Sequence, residues 1–419
     1  MKKASSIQDI VKFNKEQLNQ ENIDNIYVPP MSNNTTEEIC QFLNFAYDIP
    51  QKLILAGPKG AGKNTLLYYL SQKKLDKFQI ISVNLIKFLD PMDIKPVDFI
   101  FCLLHHLLQE LSKSQKRLDP FLINTLYQNL HDEKLMDLIK FKKSEAGDEE
   151  GTKIGFVKSM VIAVIDTIPV TDKKLRLKLR KSLESCLRLI MKSIQGIIDY
   201  MNRTLKQMDK KLLIIFYDLD KFSPSTIEPF FKEYFHLIER LHVHIIYTMP
   251  DFIRFSDFFD MLSQRIDKII FKRPVSVLNP DKSSSQEGMS YIKNIITKYI
   301  DHQLIPESMY DKLIINSGGI LNYVFELLID TALYTLIIDP TSKVLLPEAF
   351  EQSQKFFSRY LIQQMNHEQA ELIKNLNLSQ PSWYGDKNIK HLISRNILIE
   401  YESGEHIWFA VHPLLQKNF

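Results

Sequence analysis

Cysteine is scarce in this 419-residue chain: only Cys40, Cys102 and Cys186 occur. They form no CxxC pair and no even framework, so they read as small buried or half-buried hydrophobes in a reducing cytosol rather than as disulfides or metal ligands. An excess of one charge sign is missing too. The 53 basic and 50 acidic residues leave a net +3, so composition makes no global case for nucleic acid, although local basic runs remain. The N-terminus, MKKASSIQDIVKFNKEQLNQ, has two lysines with no apolar core behind them and does not read as a signal peptide. A membrane span is also not expected. The apolar stretch Gly155 to Val170 contains Lys158 and Asp166 and falls short of the roughly 20 residues a spanning helix needs. A buried or partner-facing helix is expected there, in a cytoplasmic protein. With 45% hydrophobic residues the chain is long enough for two or three domains with cores of their own.

What the chain does contain is Gly57-Pro58-Lys59-Gly60-Ala61-Gly62-Lys63-Asn64-Thr65, a phosphate-binding loop of the form G-x-x-x-x-G-K lacking only its final hydroxyl. The apolar run Leu53-Ile54-Leu55-Ala56 precedes it, and Leu66-Leu67-Tyr68-Tyr69-Leu70 continues as a helix. In that setting glycines let backbone N–H groups wrap a phosphate chain, and the helix N-terminus adds partial positive charge. Residues 57–65 are therefore expected to bind ATP or ADP, with Lys63 reaching the terminal phosphates. Position 64 normally supplies the hydroxyl that ligates Mg²⁺. Asn64 leaves the metal open and argues against hydrolysis, with Thr65 as the neighbouring hydroxyl.

The first 45 residues read as a polar arm and a helix starting at Thr36-Glu37-Glu38, after breaks at Val28-Pro29-Pro30 and Asn33-Asn34. A nucleotide-binding unit is expected over residues 46–275. Its strand Phe78 to Asn84 and apolar-periodic helix Val97 to Leu111 indicate a parallel sheet. The strand Leu212 to Phe216 ends in Tyr217-Asp218-Leu219-Asp220. Carboxylates there are placed to hold a metal beside the phosphates, so Asp218 and Asp220 are candidate catalytic residues, and Thr65 and Asp218 candidate metal ligands. The strand His242 to Tyr247 ends in Thr248, which reads equally as a monitor of the terminal phosphate or as a helix cap. Lys63 and Asp218 lie about 155 residues apart, which calls for a helical insertion over about 112–210. Within it, Lys142 to Thr152 reads as a mobile loop. Lys173 to Lys181 opens a basic helix, either a solvated face over an apolar stripe or a contact for nucleic acid or an acidic partner. Residues 276–360 read as a helical domain with a break at Asn316-Ser317-Gly318-Gly319. Residues 361–419 read as helices Glu368 to Leu376 and Asp386 to Ser394, then a hairpin of Ile397 to Tyr401 and His406 to Val411, which together suggest a winged helix.

In this order the phosphate loop, the Asp218-Leu219-Asp220 element, the Thr-tipped strand, the Ser317-Gly318-Gly319 region and the terminal winged helix resemble the STAND and origin-recognition-like branches of the AAA+ ATPases. The resemblance spans roughly residues 25–419 apart from the insertion. It implies an α/β fold: a P-loop core on a parallel sheet, a helical lid and a C-terminal winged helix. It also implies an Asp where this chain has Tyr217, and a sensor Arg after the Ser-Gly-Gly turn, where this chain has Asn322. Val411-His412-Pro413-Leu414-Leu415 is similar to the Met-His-Asp element of STAND switches, whose His approaches the ADP phosphate. His412 is therefore a candidate nucleotide contact, beside the structural reading that a His at a strand end also has. Asn64, Tyr217 and Asn322 all fall on parts that handle metal or the γ-phosphate, while Gly57, Gly60, Gly62 and Lys63 are intact. The resemblance thus implies a nucleotide-binding switch with weak or absent hydrolysis. Such a switch acts through a separate protein partner or effector and is open to homo-oligomerisation, and bacterial STAND members frequently serve in defence against phage. Two alternatives stand beside it: a DNA-binding origin-recognition-like loader using the winged helix and Lys173 to Lys181, and an active ATPase in which Thr65 or Asp218 substitutes.

Overall fold

Branched apolar runs such as Leu53 to Leu55 and Leu212 to Phe216 favour strands buried on both faces, the pattern of a parallel sheet covered by helices. They lie in β1 (Lys52–Ala56) and β3 (Lys211–Tyr217), which are joined by β2 (Phe78–Asn84), β4 (His244–Met249) and β5 (Lys268–Phe271). All pairings are parallel, in the order β2-β3-β4-β1-β5. The strand that delivers the phosphate loop is thus flanked by β4 and β5: Leu53 lies opposite Ile246 on one side and Lys268 on the other. The computed structural model describes residues 3–13, 27–29, 35–90, 92–113, 119–139, 153–375, 386–403 and 406–416. The expected loop Lys142 to Thr152, the Asn33-Asn34 break, Leu376 and the hairpin turn Gly404-Glu405 lie outside the described residues.

One face of the sheet is covered by the helix Pro96–Lys113 and by the insertion, whose helices are Pro120–Leu130, Glu133–Leu138, Lys153–Val170 and Lys173–Lys206. Phe99, Leu103, Val161, Val164, Ile190 and Ile194 share one core with Ile214 and Phe216, so the apolar stretch ending at Val170 is a core helix. The basic start of Lys173–Lys206 follows the reading of a solvated face over an apolar stripe for Lys173, Lys174, Lys178 and Lys181, which are exposed while Leu179 and Leu183 are buried, and departs from it at two arginines. Arg180, only 3% exposed, donates to Asp98 at 2.6 Å and to Asp93, while Arg176 pairs with Asp93 at 2.9 Å. A buried guanidinium needs such partners. Two of the basic residues are therefore spent pinning the insertion to the segment after β2, rather than facing solvent or nucleic acid. The opposite face of the sheet carries helices Thr35–Phe45 and Lys63–Lys73.

Helices Gln286–Tyr299, Glu307–Asn316 and Leu321–Ile338 make the lid. The start of the chain joins it instead of forming a separate arm. The Ala4 N–H donates to Tyr299 O at 2.9 Å, Ile7 and Ile10 are buried in the lid core, and Phe13 stacks on Phe325 at 5.3 Å. The C-terminus has helices Pro347–Gln363, His367–Asn375 and Lys387–Ser394, then the antiparallel hairpin β6 (Leu398–Ser403) and β7 (His406–Val411). Pro347–Gln363 packs on both Leu321–Ile338 and the turn Pro413–Leu415, so the boundary expected at residue 360 falls inside one helix. Among the described residues only Leu321–Ile338 is long and apolar enough to cross a membrane by length and composition. Here Val324, Leu327, Leu328 and Ala332 bury one side of it in the lid core.

Candidate nucleotide-binding site

The chain leaves β1 through a turn that ordinary side chains would block. Gly60 and Gly62 have φ of +90° and +87°, the left-handed region where a Cβ is strained. A Cβ at Gly57 would sit 2.2 Å from the Lys272 carbonyl oxygen, and one at Gly60 2.6 Å from Asn322 Cβ. Gly62 is the N-cap of Lys63–Lys73, whose first N–H groups have no intrahelical partner and are available to an anion. The Lys63 ammonium is buried. It donates to Gly57 O at 2.7 Å and Pro58 O at 2.8 Å and pairs with Asp220 at 2.9 Å.

The metal side is arranged differently. Asn64 donates its amide to Asp218 Oδ1 at 2.6 Å, and Lys221 pairs with that same oxygen at 2.9 Å. Asp218 itself is buried at φ +69°, a conformation that persists only when its surroundings hold it. Thr248 is one of the groups that hold it. Its hydroxyl donates to Phe216 O at 3.1 Å and accepts the Leu219 N–H at 3.2 Å. Thr248 therefore ties the end of β4 to the turn carrying Asp218 and Asp220, and it lies outside the pocket lining.

Over the loop lies a pocket of about 250 Å³. Lys59 to Leu66, Asp220, Lys221, Lys272 and Asn322 line it on the phosphate-loop side; Tyr27, Val28, Tyr291, Ile295, Tyr299 and Phe325 give it an aromatic and apolar wall. That wall is fixed in place. Tyr27 stacks on Tyr69 at 3.9 Å, Tyr291 Oη donates to Val28 O at 2.9 Å, and Lys298 donates to Tyr27 O at 3.0 Å. Apolar walls with a few convergent charged groups suit a ligand that is part ring and part phosphate. Asn322 donates its amide to Glu326 at 2.7 Å, so position 322 brings no cation to the site.

His412 lies elsewhere. It is fully buried beneath the Ser317-Gly318 turn, close enough that a Cβ at Gly318 would be 3.2 Å from its Nε2, and it packs beside Tyr323 and Phe357. It does not line the pocket. Burial pushes its pKa down to about 3, so it is neutral at neutral pH. Asn396, at φ +55°, reaches the loop instead. Its amide donates to Lys59 O at 3.3 Å and to Tyr323 Oη at 3.1 Å. Tyr401 Oη donates to Gly318 O at 2.9 Å. Sequence reading missed Tyr27, Lys221 and Lys272, which line the pocket, and Asn396, which touches the loop from outside it. The available signal was faint: Lys272 directly follows the short apolar run Ile269-Ile270-Phe271.

The residues fit a nucleotide better than its metal. The positive-φ glycines, the helix N-terminus and Lys63 form a phosphate cradle. A Mg²⁺ site of the usual kind needs a loop hydroxyl and an available carboxylate; Asn64 replaces the hydroxyl and, with Lys221, takes Oδ1 of Asp218, while Oδ1 of Asp220 is buried without a hydrogen-bond partner among the described residues.

No protein-family model matches the sequence, and no curated protein matches it either. Among solved structures the chain is similar to Cdc6p from Pyrobaculum aerophilum, at 10% identity and a TM-score of 0.42, over 96% of this chain and 95% of that one. It is similar to the Walker-type ATPase of Pyrococcus abyssi at 12% identity and a TM-score of 0.41, over 93% of this chain and 98% of that one. It is also similar to the Orc1 protein of Aeropyrum pernix, solved in complex with DNA, at 10% identity and a TM-score of 0.42, over 96% of each chain.

Proposed function

We propose that this chain is an ATP- or ADP-binding switch that hydrolyses its nucleotide slowly or not at all and acts on a protein partner. The observation that carries this reading is the pairing of an intact phosphate cradle around Lys63 with a metal side where Asn64 stands in place of the hydroxyl and takes Oδ1 of Asp218. Charge neutralisation by a metal and a sensor cation accounts for much of the rate of phosphoryl transfer, and both positions are altered here. No step of the proposal runs through a metal.

The switch element is the C-terminal winged-helix-like unit. It touches the phosphate loop through Asn396 and the Ser-Gly-Gly turn through Tyr401, so nucleotide bound at the loop acts directly on its seating. The loader alternative needs the helix Lys387–Ser394 to face DNA. Lys390 instead pairs with Glu228 and lies 5.7 Å from the centre of the Phe252 ring, so the docked state is the form that a partner or nucleotide must open.

Single-turnover phosphate release tests the proposal. The expected rate with Mg²⁺ is far below the median enzyme turnover of about 10 per second, and bound nucleotide should alter protease cleavage between the lid and the hairpin. Multiple turnovers at ordinary rates would refute the switch reading. Tight duplex DNA binding with a steep salt dependence would transfer the protein to the loader reading.

A further inference from the structure

Three lysines besides Lys59 line the pocket: Lys63, Lys221 and Lys272. Lys63 is held by two loop carbonyls and Asp220, and Lys221 by Asp218. Lys272 is different. Its backbone is fixed at the root of the loop, where its N–H donates to Ala56 O at 2.7 Å and its carbonyl lies against Gly57. Its half-buried ammonium has no ion-pair or hydrogen-bond partner among the described residues. The nearby carboxylate Glu402 gives its Oε2 to Arg273 at 2.7 Å. A desolvated cation beside a second cation is unfavourable unless an anion joins them. Burial and then the charge of Lys63 push the Lys272 pKa down to about 8, with Glu402 opposing.

We propose that Lys272 is a phosphate-binding residue that contacts the terminal phosphates of the bound nucleotide and supplies in cis the cation that position 322 lacks. This rests on the nucleotide reading of the pocket. A charged hydrogen bond at the distal end of the phosphate chain serves ATP most, ADP less and AMP not at all. The site therefore favours the triphosphate without needing a sensor arginine. The charged groups that act on the ammonium are Lys63 on the loop and Glu402 on β6, and Lys59, Asp220 and Lys221 line the same pocket. Only the approach of phosphate changes the balance among them. Binding raises the Lys272 pKa and draws a proton onto it at pH 8.

The test is calorimetry of ATP, ADP and AMP on the full chain with Lys272→Met and Lys272→Arg, beside Lys63→Ala. Lys272→Met is expected to weaken ATP by roughly 10- to 100-fold, ADP by less and AMP negligibly, with Lys272→Arg close to wild type. Wild type at pH 8 should take up about half a proton on binding ATP, read from the dependence of the heat on buffer ionisation, and the Met variant should not. Its melting temperature should stay level or rise, because a half-buried cation with no partner among the described residues has been removed. ATP affinity and proton uptake unchanged in Lys272→Met, while Lys63→Ala abolishes binding, would overturn the assignment of Lys272 alone. If nucleotide binds equally well to all variants, the pocket reading fails and takes this proposal with it.

Discussion

Glu400 is the residue whose removal should release the C-terminal hairpin. It lies on β6 and is 4% exposed. It pairs with both Arg254, beside the end of β4, and Arg273, just after β5, the latter at 2.7 Å. Replacing Glu400 with Ala leaves two desolvated guanidiniums facing each other. Arg273 keeps Glu402, while Arg254 stays packed on Phe255 and Phe271 at 4.8 and 5.0 Å with the charge of Asp251 near it. Breaking a buried pair from one side costs about 3–5 kcal/mol, against about 0–1 for an exposed one. Taking the lower end, because both arginines retain an acidic neighbour, gives about 3 kcal/mol, or roughly a hundredfold more frequent opening of the hairpin. Hydrogen exchange measured by peptide should show this as lost protection over 386–403 and 406–411, with β1, β3 and β4 still protected. Glu402→Ala, which removes a more exposed partner, should change protection by less than about fivefold. Hairpin exchange in Glu400→Ala within about threefold of wild type would refute the idea that this ion-pair cluster seats the domain.

Two further outcomes are expected. Thr248→Val should destabilise the protein by about 1–3 kcal/mol, because the Leu219 N–H is left buried without its acceptor, and should weaken nucleotide binding through the loosened Asp218–Asp220 turn. A urea midpoint and affinity equal to wild type would contradict that positioning role. His412 is held neutral in the fold at a pKa of about 3, while the unfolded chain protonates it near 6.5. Its share of the stability is therefore present above about pH 6.5 and is lost as pH falls toward the folded value. Between pH 7 and pH 5, wild type should lose about 2 kcal/mol more than His412→Gln in urea denaturation, and parallel losses in the two proteins would sink this account.

The parts of the site that could be read from the sequence are those whose chemistry is contiguous. Gly57 to Thr65 states strand, turn and helix within a dozen residues, and Phe78 to Asn84 was bounded correctly because its apolar run is isolated. What could not be read depends on partners far along the chain. Lys173 to Lys181 does present exposed lysines, but nothing local marks Arg180 as the one that meets Asp98, 82 residues earlier. Residues 3–13 look polar until Ala4 bridges Ile300. β5 has only four residues and no alternation to mark it, and with β5 went Lys272. Thr248 has the residue type and strand-end position of a phosphate monitor, yet the backbone groups around it use both hydrogen-bonding roles of its hydroxyl. His412 was placed near phosphate by a similarity of four or five residues, whereas packing against Tyr323 and Phe357 buries it under the Ser317-Gly318 turn.

The central claim is that the loop around Lys63 binds the phosphates of ATP or ADP, and calorimetry of wild type against Lys63→Ala tests it most directly. Lys63 bridges two loop carbonyls and Asp220, so the fold of the variant is first checked by its far-ultraviolet circular dichroism. The account predicts saturable binding of both nucleotides by wild type and none by the folded variant. Undiminished affinity in Lys63→Ala would contradict it.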